Sequence, residues 1–219
     1  MSKTIGIISS AGGSAIFEIY PYLESKDIKL VVATDRQCGI ETLCGERGVL
    51  CRRFSYGDKE TFSREVGSFF QESSVEDLVF LYYTRFVSNE IFDGFNALNF
   101  HPSILPLFSG LKPIEMQLEQ DVSLIGATVH KVDGTCDGGP IIGQIANSFL
   151  PETVNKTSFM QKIFLALAAI DLYLSDQDFC SVKSRSVKFL NTNMFLSDES
   201  LVFFQSLEEK HQMKILGVG

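Results

Sequence analysis

Short apolar runs alternate with amphipathic stretches along the first half of the chain. A run that is apolar at nearly every position is typical of a strand buried on both faces, and apolar positions three to four residues apart are typical of helices. Strands that alternate with helices in this way predict a parallel α/β sheet. The predicted strands are residues 4–9, 28–34, 49–54, 77–83 and 97–100, and the predicted helices are 39–47, 59–71, 88–95 and a stretch that ends near residue 24.

The pattern changes after Pro113. A short helix at 113–119 precedes two long strands, 125–132 and 141–150, and a long helix at 156–174. Antiparallel pairing of the two strands would return Asp137, in the loop between them, to the edge where ligands of open α/β sheets bind. The expected fold class is α/β: a Rossmann-like, mostly parallel twisted sheet flanked by helices, with an antiparallel extension.

No motif is recognisable from Asp176 onward. We therefore predict a catalytic domain over residues 1–176 and a C-terminal extension over 177–219, which would act as a cap or an oligomer contact. The extension has short apolar segments at 187–190 and 194–196 and a polar helix at 199–210. Its apolar side chains indicate packing against another surface, for which the second subunit of a homodimer is the candidate: Leu201, Val202, Phe203 and Phe204.

Composition narrows the classes of function. The 219 residues, 45% of them hydrophobic, suffice for a sizeable core, and the net charge of −8 argues against nucleic-acid or anionic-membrane binding. No signal peptide pattern precedes the first strand, and polar residues interrupt the apolar helix, so we predict a cytoplasmic protein without a membrane span. No CxxC spacing suggests a zinc site or a disulfide framework among the five cysteines, which are Cys38, Cys44, Cys51, Cys136 and Cys180.

Polar residues gather where the strand at 97–100 ends. Asn99 and His101 are two residues apart, and alternate residues of a strand point to the same face. Pro102 then fixes φ where the chain leaves the strand. An imidazole can move a proton near neutral pH, and a carboxamide N–H can donate to an oxygen that becomes negative. With the Asp137 carboxylate to orient the imidazole, these residues are the candidate catalytic group for chemistry at a carbonyl.

The same residues carry a family resemblance. Residues 99–106 read Asn-Phe-His-Pro-Ser-Ile-Leu-Pro, and Asp-Gly-Gly-Pro follows at 137–140. The order and separation of these segments resemble the signature of the folate-dependent formyltransferases. The resemblance implies transfer of a formyl group from 10-formyltetrahydrofolate to a primary amine, without a metal or a covalent enzyme intermediate. It implies that Asn99 and His101 hold the developing oxyanion and that Asp137 is the partner of His101.

The resemblance also implies binding residues. The expected folate contacts are Arg85, Phe86, Thr135, Cys136, Gly138 and Gly139. The family holds the acceptor's phosphate at the turn after the first strand. The expected acceptor contacts are therefore the residues of this turn and two later ones: Gly12, Gly13, Ser14, Ser103 and Lys112. His130, inside a predicted strand, is expected to be a core or sheet-face residue, with packing behind the site as the alternative.

Two acceptors are candidates: a nucleotide-linked amino sugar and, as the alternative, phosphoribosylglycinamide of purine synthesis. Ala15 stands where the family has Asn, and a Glu-His pair of the acceptor site falls on Met160 and Gln161. These departures, together with Pro113-Ile114, favour the amino sugar. The chain length and the acidic charge disfavour formylation of methionyl-tRNA.

Two other classes stay open. Gly12-Gly13 after the first strand and Asp35 after the second would suit a nicotinamide-dependent oxidoreductase, although the full GxGxxG motif is absent. The other is a non-catalytic protein that binds folate or a sugar, against which the combination of Asn99, His101 and Asp137 argues.

Overall fold

The structure is a computed structural model, and it describes residues 2–83, 85–120, 122–148, 150–175 and 196–215. Its strands are β1 (Lys3–Ser9), β2 (Ile28–Thr34), β3 (Leu50–Arg53), β4 (Leu78–Tyr82), β5 (Asn96–His101), β6 (Leu124–Lys131) and β7 (Ile141–Ser148). Its α-helices are α1 (Ser14–Glu18), α2 (Tyr20–Ser25), α3 (Gly39–Arg47), α4 (Lys59–Glu72), α5 (Asn89–Phe92), α6 (Pro113–Glu119), α7 (Val154–Leu174) and α8 (Asp198–Lys210).

The described strands form one seven-stranded sheet in the order β3-β2-β1-β4-β5-β6-β7. Neighbouring strands from β3 to β5 are parallel, and β6 and β7 pair antiparallel. The predicted fold class, a mostly parallel sheet with an antiparallel extension, is confirmed. The chain builds outward from β1 to β3 on one side and then places β4 on the other side of β1. Such a reversal opens a crevice at the carboxyl ends of the strands, where ligands of this architecture bind.

The chain divides into two compact units. The first comprises Met1–Asn99 and Lys131–Thr135, and the second comprises Phe100–His130 and Cys136–Gly219. The division falls inside β5, whereas the predicted domain limit at 176 lies at the start of a stretch outside the described residues. The segment 187–190, most of 194–196, and Cys180 lie there too, so the division into 1–176 and 177–219 stays a prediction.

The core of the first unit forms between α4 and the sheet. Asp58 caps α4, since its carboxylate accepts the N–H of Thr61 at 2.8 Å. The buried face of the helix presents Phe62 and Phe70 to the core. A Cβ on Gly6 of β1 would lie 2.9 Å from the Phe70 ring, so a glycine is required for this close approach of helix and strand.

The core of the second unit surrounds α7, which is buried over most of its length. Pro151–Leu174 is the one described helix long and apolar enough to cross a membrane, and 72% of its apolar window is buried inside the protein, as in a core helix. Phe164 of α7 meets Phe204 of α8 edge to face at 5.5 Å. Phe204 is therefore packed within its own chain, contrary to its predicted role in an oligomer contact, whereas Val202 is 67% exposed. The homodimer stays a prediction.

Two predicted helices differ from the observed ones. The helical stretch that ends near residue 24 is broken at Ile19 into α1 and α2, and Pro21, in the first turn of α2, has no N–H to continue the earlier helix. The helix predicted at 88–95 is confined to α5, because Asp93 and Gly94 are poor helix formers.

Candidate active site

Parallel pairing brings the carboxyl ends of β1, β2, β4 and β5 to one edge of the first unit. Several predicted site residues follow these ends or lie close to them. The residues gathered at this edge are Gly12, Gly13 and Ser14 after β1, Arg85 and Phe86 after β4, and the half-buried Asn99 in β5.

The turn after β1 is open to solvent. Gly13 has a φ of 70°, and a Cβ there would lie 2.3 Å from Ile40, so only glycine fits. A Cβ on Gly12 would meet nothing within 4 Å, and Ser14 is exposed. Ala15 is buried and presents no polar group to a ligand. Gly12 and Ser14 are therefore the positions of this turn that a phosphate could approach.

Arg85 is engaged in an ion pair. Its Nε lies 3.1 Å from the fully buried Asp35 carboxylate, which also accepts Nε of Arg36 at 2.9 Å. The Arg85 guanidinium lies 4.5 Å from the ring centre of Tyr56. The Asp35 carboxylate is thus paired with two arginines and is not available to accept hydrogen bonds from ribose hydroxyls. This removes one of the two features that favoured an oxidoreductase.

Phe86 has a different environment. Its carbonyl accepts the Tyr56 hydroxyl at 3.0 Å, while its side chain is 59% exposed. The hydrogen bond to Tyr56 fixes the backbone of Phe86, and the exposed ring is available to stack on a flat heterocycle.

The second unit brings His101 and Asp137 together. Nδ1 of His101 lies 3.5 Å from Oδ2 of Asp137, and both side chains are largely buried. The N–H of Gly110 donates to the same oxygen at 2.8 Å. Asp137 has a φ of 51°, a conformation uncommon outside glycine, so the loop backbone fixes the direction of this carboxylate.

Both nitrogens of His101 face protein oxygens, because Nε2 lies 2.9 Å from the carbonyl of Phe108. Phe108 has a φ of 56°, in the left-handed region that is unfavourable for a bulky residue. For Nε2 to reach a substrate, this carbonyl must first move away.

Ser103 supports the loop through its hydroxyl. Its hydroxyl donates to the carbonyl of Leu107 at 2.7 Å, and the residue is fully buried. The predicted acceptor contact is therefore corrected to a structural role. The Thr128 hydroxyl braces the same loop, donating to the carbonyl of Ser103 at 2.7 Å and accepting the N–H of Leu105 at 3.0 Å. Lys112, by contrast, is exposed at the start of α6.

His130 is buried in β6, as expected for a core or sheet-face residue, and it also lies close to Asp137. Its Nε2 lies 3.8 Å from Oδ1 of Asp137, so the carboxylate has an imidazole near each oxygen. A register shift between Val129 and His130 interrupts the β6–β7 ladder at this point, as bulges beside active sites do. The available signal was the placement of Thr128 and His130 at alternate positions of an otherwise apolar strand, the spacing that singled out Asn99 and His101.

The two carboxylates near this loop, Asp133 and Asp137, have different environments. Asp133 accepts the N–H of Thr135 at 2.8 Å and so forms a turn, whereas Asp137 faces the imidazoles. The Cys136 thiol lies 3.8 Å from Oδ2 of Asp137, and burial and the negative charge of Asp137 raise the pKa of this thiol. Gly138 is exposed and Gly139 is buried. Among the described residues, no group of three or more His, Cys, Asp or Glu side chains could hold a metal ion.

Met160 and Gln161 are core residues of α7. Both are fully buried, and the Gln161 amide donates to the carbonyl of Ile125 at 3.2 Å and to Oδ1 of Asn147 at 2.9 Å. The identity of these two residues therefore says nothing about the acceptor.

A sequence profile described as Formyl transferase matches residues 8–166, which is most of the chain. The chain belongs to the formyl transferase family. Enzymes of this family transfer a one-carbon group carried by 10-formyltetrahydrofolate.

Named relatives fall into two groups. The chain is 32% identical to phosphoribosylglycinamide formyltransferase of Bacillus subtilis over 94 residues, which are 42% of this chain and 48% of that protein. It is 36% identical to mitochondrial formyltetrahydrofolate deformylase 2 of Arabidopsis thaliana over 87 residues, 39% of this chain and 26% of that protein. The matched segments thus span half or less of these relatives.

Similarity to solved structures extends further along the chain. Glycinamide ribonucleotide transformylase 1 from Symbiobacterium toebii superposes with a TM-score of 0.73 at 28% identity. The superposition covers 79% of this chain and 88% of that one.

Proposed function

We propose that this chain transfers the formyl group of 10-formyltetrahydrofolate to the primary amine of phosphoribosylglycinamide. The observation that carries the proposal is the pairing of Asp137 with His101. Oδ2 of Asp137 accepts the N–H of Gly110 and lies 3.5 Å from Nδ1 of His101. Asn99 precedes His101 by two positions in β5, so it presents a carboxamide on the same side of the strand.

Each catalytic residue has a role in this proposal. The Asn99 carboxamide donates to the formyl oxygen as negative charge develops, which is worth about 3 kcal/mol for comparable donors. An amine that becomes an amide loses one proton, and the folate nitrogen that departs gains one. His101 carries that proton once its Nε2 has left the Phe108 carbonyl, and Asp137 orients the ring.

The proposed binding residues divide between donor and acceptor. Phe86, with its exposed ring, is the proposed contact for the flat part of the folate. Arg85 positions the loop through Asp35, and Thr135, Cys136 and Gly138 lie in the loop that leads to and contains the catalytic carboxylate. Gly12 and Ser14 are the proposed contacts for the acceptor's phosphate, because helix N-termini bind anions through backbone N–H groups.

The choice of acceptor rests on the relatives and on α7. The Bacillus subtilis protein is named for phosphoribosylglycinamide, which favours that acceptor over the nucleotide-linked amino sugar. Burial of Met160 and Gln161 removes two of the residues that favoured the sugar. Ala15 and Pro113-Ile114 remain as its arguments.

Hydrolysis of 10-formyltetrahydrofolate is a second candidate. The Arabidopsis relative is named a deformylase, and Ala15 supplies no polar side chain where the related transferases place Asn to hold the acceptor. Water would then take the place of the amine and release formate, with the same three residues acting on the formyl group.

One assay separates these activities. The protein is incubated with 10-formyltetrahydrofolate alone, with phosphoribosylglycinamide, and with a nucleotide-linked amino sugar, and tetrahydrofolate, formate and formylated amine are each quantified. Transfer predicts formylated phosphoribosylglycinamide and little formate. Formate at the same rate with and without an amine would instead establish hydrolysis, and formylated sugar would restore the first acceptor.

A further inference from the structure

Two thiols lie side by side in the first unit, outside the residues proposed for catalysis. Cys44 is in the last turn of α3 and Cys51 is in β3. Gly48, with a φ of 66°, turns the chain back between them, and the N–H of Val49 donates to the carbonyl of Cys44 at 2.9 Å. The two side chains line the same surface groove, and neither is in a disulfide.

The two thiols are chemically unequal. Cys44 is buried and Cys51 is half-buried, and both line a surface groove with Glu41 and Arg53. Interaction with the neighbouring Cys44 thiol lowers the pKa of Cys51, although burial and the negative charge of Glu41 oppose this shift. Interaction with Cys51 and burial raise the pKa of Cys44. A partly accessible thiol beside a buried one is the arrangement of an attacking and a resolving cysteine, so Cys51 is the thiol that a peroxide can reach.

We propose that Cys44 and Cys51 form an oxidisable dithiol site, which a peroxide converts into an intramolecular disulfide. The Cys51 thiol ionises, its thiolate attacks one oxygen of hydrogen peroxide, the O–O bond breaks, and the departing hydroxide combines with the proton that Cys51 released to form water. The Cys44 thiol then attacks the sulfenic sulfur, the S–O bond breaks, and the proton of Cys44 leaves with the hydroxyl as a second water. The two sulfurs lose two electrons, and the peroxide gains them.

Helix α3 connects this site to the turn after β1. A Cβ on Gly13 would lie 2.3 Å from Ile40 in the first turn of α3, and a Cβ on Gly39 would lie 3.2 Å from Cα of Gly12, so the start of the helix lies close to this turn. Glu41 anchors the same helical turn by accepting the Thr34 hydroxyl at 2.7 Å. A disulfide would draw the last turn of α3 toward β3, and a rigid helix transmits that movement to its other end.

The consequence rests on the proposed function, in which Gly12 and Ser14 bind the acceptor. Oxidation should then raise the KM for the acceptor by about five- to tenfold, at the low end of usual coupling between sites. The KM for the folate donor should not change.

The test begins with mass rather than activity. The full chain is treated with hydrogen peroxide, its intact mass is measured, and its peptides are mapped before and after reduction with dithiothreitol. We expect a loss of two hydrogens, a Cys44–Cys51 cross-link, and full reversal by the thiol. Cys51→Ser should abolish the cross-link, and Cys38→Ser, the matched control at the start of α3, should leave it intact.

Cys51 is half-buried, so its serine variant is expected to fold even where a substitution of buried Cys44 does not. Absence of a cross-link, or a cross-link to another cysteine, would overturn the dithiol site. A complete cross-link that leaves unchanged both the acceptor KM and the thermal shift produced by phosphoribosylglycinamide would overturn the coupling. Lack of turnover by the reduced protein would count against the proposed function alone, since the mass measurement still decides the dithiol site.

Discussion

Two largely buried carboxylates, one in each unit, have opposite environments. Asp35 is paired with Arg36 and Arg85, whose guanidinium groups keep their charge at every accessible pH. Asp137 is held by a backbone N–H and lies near the imidazoles of His101 and His130, a type of side chain that can donate or accept a proton in a reaction. A carboxylate paired with guanidinium groups stabilises the structure, whereas one beside imidazoles, which can donate or accept a proton, can take part in a reaction.

The largest expected effect comes from Asp137→Asn. The amide keeps the shape of the side chain but cannot orient His101 as a carboxylate does, so kcat should fall by about 10²- to 10⁴-fold. Steady-state kinetics and a thermal melt are the measurements, and the melting temperature should stay close to that of the wild type. Asp133→Asn, in the same loop, is the matched control. An Asp137→Asn enzyme with wild-type kcat would refute the assigned role.

Asp35→Asn should show the reverse behaviour. Loss of the ion pairs should lower the free energy of unfolding by about 2 kcal/mol, discounted because both arginines are partly exposed. Urea unfolding measures this change. Its kcat should fall much less than that of Asp137→Asn, and a fall of equal size would erase the distinction between the two carboxylates.

His130→Gln should have an intermediate effect. We expect kcat to fall by about tenfold, less than for Asp137, because the 3.8 Å separation from Asp137 is longer than a hydrogen bond. A positioning role predicts a change in the pH profile of kcat with little change in either KM. His211→Gln, a histidine substitution in the turn after α8, is the control. An unchanged pH profile, with only lower stability, would reduce His130 to a packing residue.

The smallest effect concerns Glu41, a third paired carboxylate. The hydrogen bond from Arg53 holds the pKa of Glu41 below its ordinary value of 4.5. Its stabilisation is therefore present above that value and is lost as the pH falls through the lowered pKa. Glu41→Gln should cost about half a kcal/mol at neutral pH. The difference between the two unfolding curves should vanish in acid, and a difference that grew in acid would contradict this assignment.

Much of the site followed from local spacing in the sequence. Asn99 and His101 could be selected because they alternate within one strand. Asp137 was preferred to its rival Asp133 because the segment 137–140 resembles the formyltransferase signature. His130 was expected chiefly in the core because a lone histidine in an apolar strand is usually a packing residue, and only the structure shows that its ring also lies near Asp137. Ser103 and Gln161 were misjudged because their hydrogen-bond partners, Leu107, Ile125 and Asn147, belong to a loop and two strands whose packing a linear pattern does not specify.

The sequence by itself determined the order of strands and helices, the mostly parallel sheet, and the strand end that carries Asn99 and His101. These features depend on hydrophobic period and chain direction, which are local properties. Tertiary structure decided that Asp35 forms ion pairs with two arginines, that Asp137 lies near two imidazoles, and that Cys44 and Cys51 line the same groove. Such pairings depend on how helices and loops pack, because the energy of a polar group is set by the neighbours that replace water around it.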